Sequence, residues 1–327
     1  MIKNNQFKVE FREILFTRIK LKKSWVNELA SILNCSTESI YKKIKPDHFF
    51  SLDEILTLSQ HYNISLDQVL GKKDNQFQFK IPNLISPVSS ISDFLLLLNS
   101  TFESINQNSH VKAIYSTREL PIFYYFLNKE LASFKFYVFS KTIWSIGSFK
   151  NKPFSFELFD QSILSYFTQI WEKYSVIEST EYWNTNILDS TLQQISFYYE
   201  SNELNAPDAH LILDGLESTL EKIQLMLISQ SKSKLKTDNF KLFENKILHT
   251  SNHVLVKNDN FNALYLTFDS PNFLIIEDEE FIRYTENWFK IIHENSYVLG
   301  SGSGHHSKIY FDNLKNRIHS IRKTILL

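Results

Sequence analysis

Two groups of residues in this chain of 327 have types and spacings that can do chemistry. The first is Thr37, Glu38, Ser39, Tyr41, Lys42, Lys43 and Lys45, a close run of hydroxyls, one carboxylate and three cations. On an exposed helix face, a lysine can donate to guanine O6 and N7, and a glutamate can accept from a cytosine amino group. Tyr41, Lys43 and Lys45 suit phosphate contacts that fix register. A plainer alternative is that Glu38 and Lys42, four residues apart, only pair with each other along the helix. The second group is Gly300-Ser301-Gly302-Ser303-Gly304-His305-His306-Ser307-Lys308, which holds three of the six glycines. A glycine-rich loop opening a helix can offer N–H groups to a phosphate, with Gly302, Gly304, His305, His306 and Lys308 as candidate contacts. A surface loop between two helices is the plainer reading of this segment, and the favoured one.

The first group needs a framework, and the flanking sequence supplies one. Val26, Leu29, Ala30 and Leu33 recur at helical spacing within Ser24–Leu33. Asn34-Cys35-Ser36 reads as a turn: Asn tolerates the left-handed region, and Ser36 is a good N-cap for a helix over Thr37–Lys45. Ile40 and Ile44 give that helix an inward face. Ser51 with Glu54, and Ser65 with Gln68, form two capping boxes that start helices near Leu52–Tyr62 and Leu66–Leu70, before a stop at Gly71. Upstream, Phe7–Leu21 reads as an amphipathic helix with Phe11, Ile14, Leu15 and Ile19 inward.

Residues 26–44, with Ser51–Leu56 and Ile64–Gly71, resemble the lambda-repressor-like (Cro and phage-repressor type) helix-turn-helix family. The resemblance covers roughly the first quarter of the chain. Two positions depart from the family pattern: Trp25 replaces the Gln that often begins the scaffold helix, and Asn34 replaces Gly in the turn. The resemblance implies an all-α DNA-binding domain of about five short helices, with Thr37, Glu38, Ser39 and Lys42 carried over by position as base readers.

Bulk properties fit a local nucleic-acid function. Residues 1–73 hold twelve Lys and Arg against eight Asp and Glu, whereas the remainder holds 23 against 28. A basic head on an acidic body suits local binding of nucleic acid rather than coating by the entire molecule. Cys35 is the single cysteine, which excludes an internal disulfide and a cysteine metal cluster. The chain shows no secretory signal pattern and no apolar run of spanning length, so a cytoplasmic protein without a membrane partner is expected.

The rest of the chain reads as a connector over 72–90, with Phe77–Ile81 as a short strand inside it, and a domain over 91–327. Helical patterns fall at Ile91–Ile105, Pro121–Leu127, Lys129–Ile146, Phe156–Tyr174, Asn186–Tyr199, Asp208–Ser229, Phe281–Ile292 and Ile309–Ile325. Strand patterns fall at Val111–Tyr115, Phe240–Ile247, His253–Lys257, Ala263–Phe268 and Phe273–Glu277. This order implies an α/β or α+β domain of long helices and a small sheet, suited to dimerisation or effector sensing. Asp208–Ser229 and Ile309–Ile325 are candidate dimer faces, or apolar stripes buried within one molecule.

Weaker clusters have ordinary readings. Glu277-Asp278-Glu279-Glu280 suits the acidic first turn of a helix, Thr117-Arg118-Glu119 a surface pair, and His249 with His253 lacks further metal ligands. His306-Ser307-Lys308 with Asp312 superficially resembles the HxK…D motif of phospholipase-D-type phosphodiesterases, but one residue is missing before the Asp, and no second copy exists. No catalytic set, cofactor or metal is expected. The expectation is a sequence-specific transcriptional regulator, a repressor, acting on double-stranded DNA as a homodimer with a small-molecule or nucleotide effector. The alternative is a nucleotide- or phosphodiester-acting effector, suited to phage defence and recruited to DNA by its head. A pure protein-interaction module is a third reading.

Overall fold

The computed structural model describes residues 4–19, 24–45, 47–70, 77–82, 88–106, 110–247, 252–258, 262–300 and 303–326, without the side chains of residues 4, 5, 68 and 106. The chain divides into two compact units, Met1–Gln76 and Phe77–Leu327.

The first unit is helical: α1 (Asn4–Ile19), α2 (Trp25–Ile32), α3 (Thr37–Lys43), α4 (Leu52–Tyr62) and α5 (Leu66–Val69). Helices this short are marginal alone, so packing of their apolar faces holds them. Phe11, Leu15, Leu29, Ile40 and Leu58 are fully buried in one core, and Ile19, Val26, Ile55 and Val69 join them. Local chemistry sets the boundaries. Asn34 and Asn63 take left-handed φ of 48° and 51° at the ends of α2 and α4. The Ser36 hydroxyl accepts from the Ser39 N–H at 3.3 Å, and Ser51 with Glu54 forms a reciprocal capping box. Gln68 has no described side chain, so the second expected box lies outside the described residues. Helix α3 is shorter than the sequence suggests: it stops at Lys43, which leaves Lys45 in the loop beyond.

The second unit is α+β. Its helices are α6 (Ile91–Asn106), α7 (Ile122–Tyr125), α8 (Lys129–Thr142), α9 (Gln161–Ser175), α10 (Asp189–Glu200), α11 (Ala206–Ser229), α12 (Glu279–Glu294) and α13 (Gly304–Thr324). Its strands are β1 (Lys112–Thr117), β2 (Glu178–Trp183), β3 (Phe240–Glu244), β4 (His253–Lys257), β5 (Asn262–Asp269), β6 (Asn272–Ile276) and β7 (Tyr297–Leu299). They form one seven-stranded mixed sheet in the order β6-β5-β4-β1-β2-β3-β7. β1, β2 and β3 run parallel, while β4 and β7 flank them antiparallel. Helices α7–α9 connect β1 to β2, and α10–α11 connect β2 to β3. The large core of this unit takes in those connecting helices together with α6 and α13, whereas α12 packs in a separate cluster around Tyr182, Leu255, Leu264 and Phe289. Gly215 allows α11 to approach α8 closely, since a Cβ there would stand 2.3 Å from the Asn128 Oδ1 that caps α8.

Several sequence expectations change here. The helix expected over Phe156–Tyr174 is interrupted: a short 3-10 turn at Phe156–Leu158 ends, and Asp160 caps α9 afresh. β2 and β7 are strands that hydropathy did not reveal. Phe77–Ile81 does not lie in a free connector: Lys80 exchanges two backbone hydrogen bonds with Ile275 on edge strand β6, at 2.8 and 2.9 Å. Helices α11 and α13, the candidate dimer faces, meet through an antiparallel set of charged and polar side-chain contacts. Lys315 meets Glu221 at 3.8 Å, His319 meets Glu217 at 3.0 Å, and Arg322 meets Asp214 at 2.8 Å. Among the described residues no helix is long and apolar enough to cross a membrane.

Candidate nucleic-acid interface

Helix α3 is built as a short rod with one buried and one open face. Ile40 is fully buried against the α1–α4 core. Opposite it, Glu38, Tyr41 and Lys42 are exposed, Thr37, Ser39 and Lys43 are half-buried, and Lys45 is exposed beyond the helix end. Glu38 and Lys42 do not pair, although four residues separate them. The Glu38 carboxylate instead accepts from its own backbone N–H and from the Ser36 hydroxyl, which together hold it below the usual glutamate range. Lys42 keeps its ammonium outward. Tyr41 leans edge-on toward Trp25, with ring centroids 6.5 Å apart, and Trp25 meets Phe16 at 5.5 Å. Trp25 thus packs between Phe16 of α1 and Tyr41 of α3.

Lys43 is engaged within the unit. Its Nζ lies 2.8 Å from Glu54 Oε2, and the same oxygen accepts from the Ser51 N–H at 2.8 Å. Burial pushes the Glu54 carboxyl up, but Lys43 and the Ser51 groups outweigh it and leave the group below its ordinary value. This pair was not anticipated from the sequence, because capping-box spacing shows Glu54 serving α4 and says nothing about α3.

Sequence reasoning also missed Arg12. Its Nη2 donates to the Lys43 carbonyl at 3.3 Å, the Lys45 carbonyl at 2.7 Å and the His48 carbonyl. The guanidinium lies over the Phe49 ring, 5.1 Å from its centroid. These acceptors are backbone atoms 31 to 36 residues away, so no side-chain pattern could mark them. Tyr62 in turn donates to Glu28 Oε1 at 2.9 Å and ties the end of α4 to α2; burial and the Glu28 carboxylate push its phenol up.

The glycine-rich segment, read from sequence as a surface loop with a phosphate-binding loop as the other candidate, is helical from Gly304 onward. Gly302 lies outside the described residues, and Gly304, His305, His306 and Lys308 belong to the first turns of α13 rather than to a loop. His306 Nε2 stands 2.7 Å from Glu244 Oε2, a carboxylate almost fully buried at the carboxyl end of β3. His306, Lys308 and Asp312 are carried on one helix, and among the described residues no group of three or more His, Cys, Asp or Glu could hold a metal. Asp278 caps α12 by accepting from the Phe281 N–H at 2.9 Å, so the acidic cluster there serves a helix start. His249 lies outside the described residues.

Comparisons with protein-family models, with curated proteins and with solved structures give no match.

Proposed function

We propose that this chain is a sequence-specific transcriptional regulator that reads double-stranded DNA through α3. One observation carries the reading: a short helix, set on another by a three-residue turn, buries Ile40 and turns Tyr41 and Lys42 outward. Such a helix can enter the major groove and contact base edges with its first turns. The resemblance of residues 26–44 to lambda-repressor-like regulators supports the same reading and favours repression. The excess of positive charge in residues 1–73 is small. Strong binding therefore calls for two heads, in a homodimer reading half-sites about 34 Å apart. The second unit then supplies dimerisation and response to a small-molecule or nucleotide effector.

Selection from a pool of random duplex DNA tests this directly. The full chain enriches an inverted repeat, and Lys42→Ala weakens binding by about 1–3 kcal/mol per contacted base pair and relaxes preference at one position of each half-site. Ser39→Ala has a smaller effect in the same direction. Unchanged affinity and preference in both variants would remove α3 from the interface.

A second reading, a nucleotide- or phosphodiester-acting effector recruited by the head, is favoured by the Glu244–His306 pair alone. A buried carboxylate can orient an imidazole as a general base, and His306 remains part-exposed at the carboxyl ends of the parallel strands. Loss of a measured hydrolytic activity in His306→Ala would support it; inactivity of the unaltered chain on nucleotides and phosphodiesters would remove it.

A further inference from the structure

Helix α3 has seven residues, too few to hold a direction by itself. Reading bases requires side chains placed within about 0.5 Å and 10–20° of the productive geometry. The direction of α3 must therefore come from its anchors, and two of them converge on its C-terminal end. On one side, Lys43 Nζ meets Glu54 Oε2 at 2.8 Å, and that oxygen also accepts from the Ser51 N–H that opens α4. Both side chains are about four-fifths buried, with exposures of 22% and 20%. On the other side, Arg12 gathers the carbonyls of Lys43, Lys45 and His48 onto α1 and rests over Phe49. The open face, with Tyr41 and Lys42, receives none of these bonds.

We infer that Lys43, Glu54 and Arg12 are positioning residues that aim α3, and that Lys43, by type and place a natural phosphate contact, does not touch DNA. The inference rests on the DNA-reading proposal and assigns the phosphate role at this end of α3 to Lys45, whose side chain is exposed. A lysine that neutralises a phosphate releases a counterion, so it leaves a mark on salt dependence; a lysine that only aims a helix does not.

The experiment measures duplex affinity of the full chain across a salt series, on the sequence enriched by the unaltered protein. Lys43→Gln should weaken binding roughly two- to fivefold, the fold-change of a partly buried ion pair, with the slope of log K against log salt unchanged. Glu54→Gln should match it, and the double variant should lose no more than either single one, because both remove one interaction. Lys45→Gln should lower the slope by about 0.9. Arg12→Gln removes the guanidinium that holds the three carbonyls; it should weaken binding at constant slope while helical circular dichroism is retained. A slope reduced by about 0.9 in Lys43→Gln, adding to the effect of Glu54→Gln, would make Lys43 a phosphate contact and overturn the assignment. Unaltered affinity in Lys43→Gln and Glu54→Gln would overturn the aiming role. If the unaltered chain enriches no sequence, the DNA reading itself falls, an outcome distinct from both.

Discussion

The two units handle charge in opposite ways. Among the described residues of the first, the only buried polar side chain is that of Ser59, and its ion pair and arginine clamp sit at the rim of an apolar core. The second places Glu181, Lys135 and Lys232 inside its core. Glu181 Oε1 accepts from the hydroxyls of Tyr124 at 2.8 Å, Tyr174 at 2.6 Å and Ser179 at 2.9 Å, while Oε2 accepts from Trp183 Nε1 at 2.9 Å. Lys232 donates to Ser179 Oγ at 2.7 Å and lies 3.9 Å from the centre of the Tyr174 ring. Lys135 donates to Gln194 Oε1 at 2.6 Å and stands near the rings of Tyr125 and Phe139. A set of small helices can be stabilised by apolar stripes and caps alone. The second unit instead places hydrogen-bonded polar groups, Glu181 foremost, between its parallel strands and the helices that cover them.

The largest expected effect breaks that difference. Glu181→Ala would leave four buried donors without their acceptor and the Lys232 ammonium without its nearby carboxylate. Removing one member of a buried charge network costs about 3–5 kcal/mol. Denaturant unfolding of the full chain should then lose most of the second unit's transition, while the transition of the first unit stays in place. A Glu181→Ala protein with an unshifted second transition would show that the network contributes little.

The same contrast explains what the sequence could reveal. Helix starts and stops in the first unit depend on local side chains, so Ser36, Asn34 and Ser51 mark them within a residue or two. In β2 the inward positions are Ser179, Glu181 and Trp183, and a pattern search for alternating apolar residues passes over such a strand. The polar residues are buried because Tyr124, Tyr174 and Lys232, from elements 53 or more residues away in the case of Tyr124 and Lys232, converge on them. The outward residues of α3 were legible for the same local reason. Its anchors were not: Arg12 holds carbonyls, Lys43 holds a capping carboxylate, and His306 meets Glu244 only after β3 and α13 are packed together.

Acid and base should separate the units at intermediate size of effect. Burial lowers Lys135 to about 8 and Lys232 to about 7. Between those values and the ordinary lysine range near 10.4, the unfolded chain binds more protons than the folded one. Stability of the second unit should therefore rise as pH climbs from about 7 toward 10. Above that, the buried phenols of Tyr124, Tyr174 and Tyr310, all pushed well up, reverse the trend, because the unfolded tyrosines ionise first. The first unit responds on the acid side. Its Glu54 carboxyl lies below the ordinary range, so its contribution is present above the unfolded value and is lost as pH falls through the folded one. Thermal unfolding across pH 3–10, with Lys232→Met to remove the steepest part of the alkaline rise, checks both halves.

The smallest effect sharpens the comparison inside the first unit. Ser51 accepts from the Glu54 N–H at 3.3 Å, and its own N–H donates to Glu54 Oε2. Ser51→Ala removes only the first of these bonds, at a cost of about 1 kcal/mol. The backbone N–H of residue 51 survives the substitution, so Glu54 keeps that partner and keeps Lys43. The first unit should melt a few degrees lower with the end of α3 still anchored. DNA affinity, compared well below the melting transition, should stay unchanged in Ser51→Ala while falling in Glu54→Gln. Equal losses of affinity would mean that the stability of α4, rather than the Lys43–Glu54 contact, sets the aim of α3.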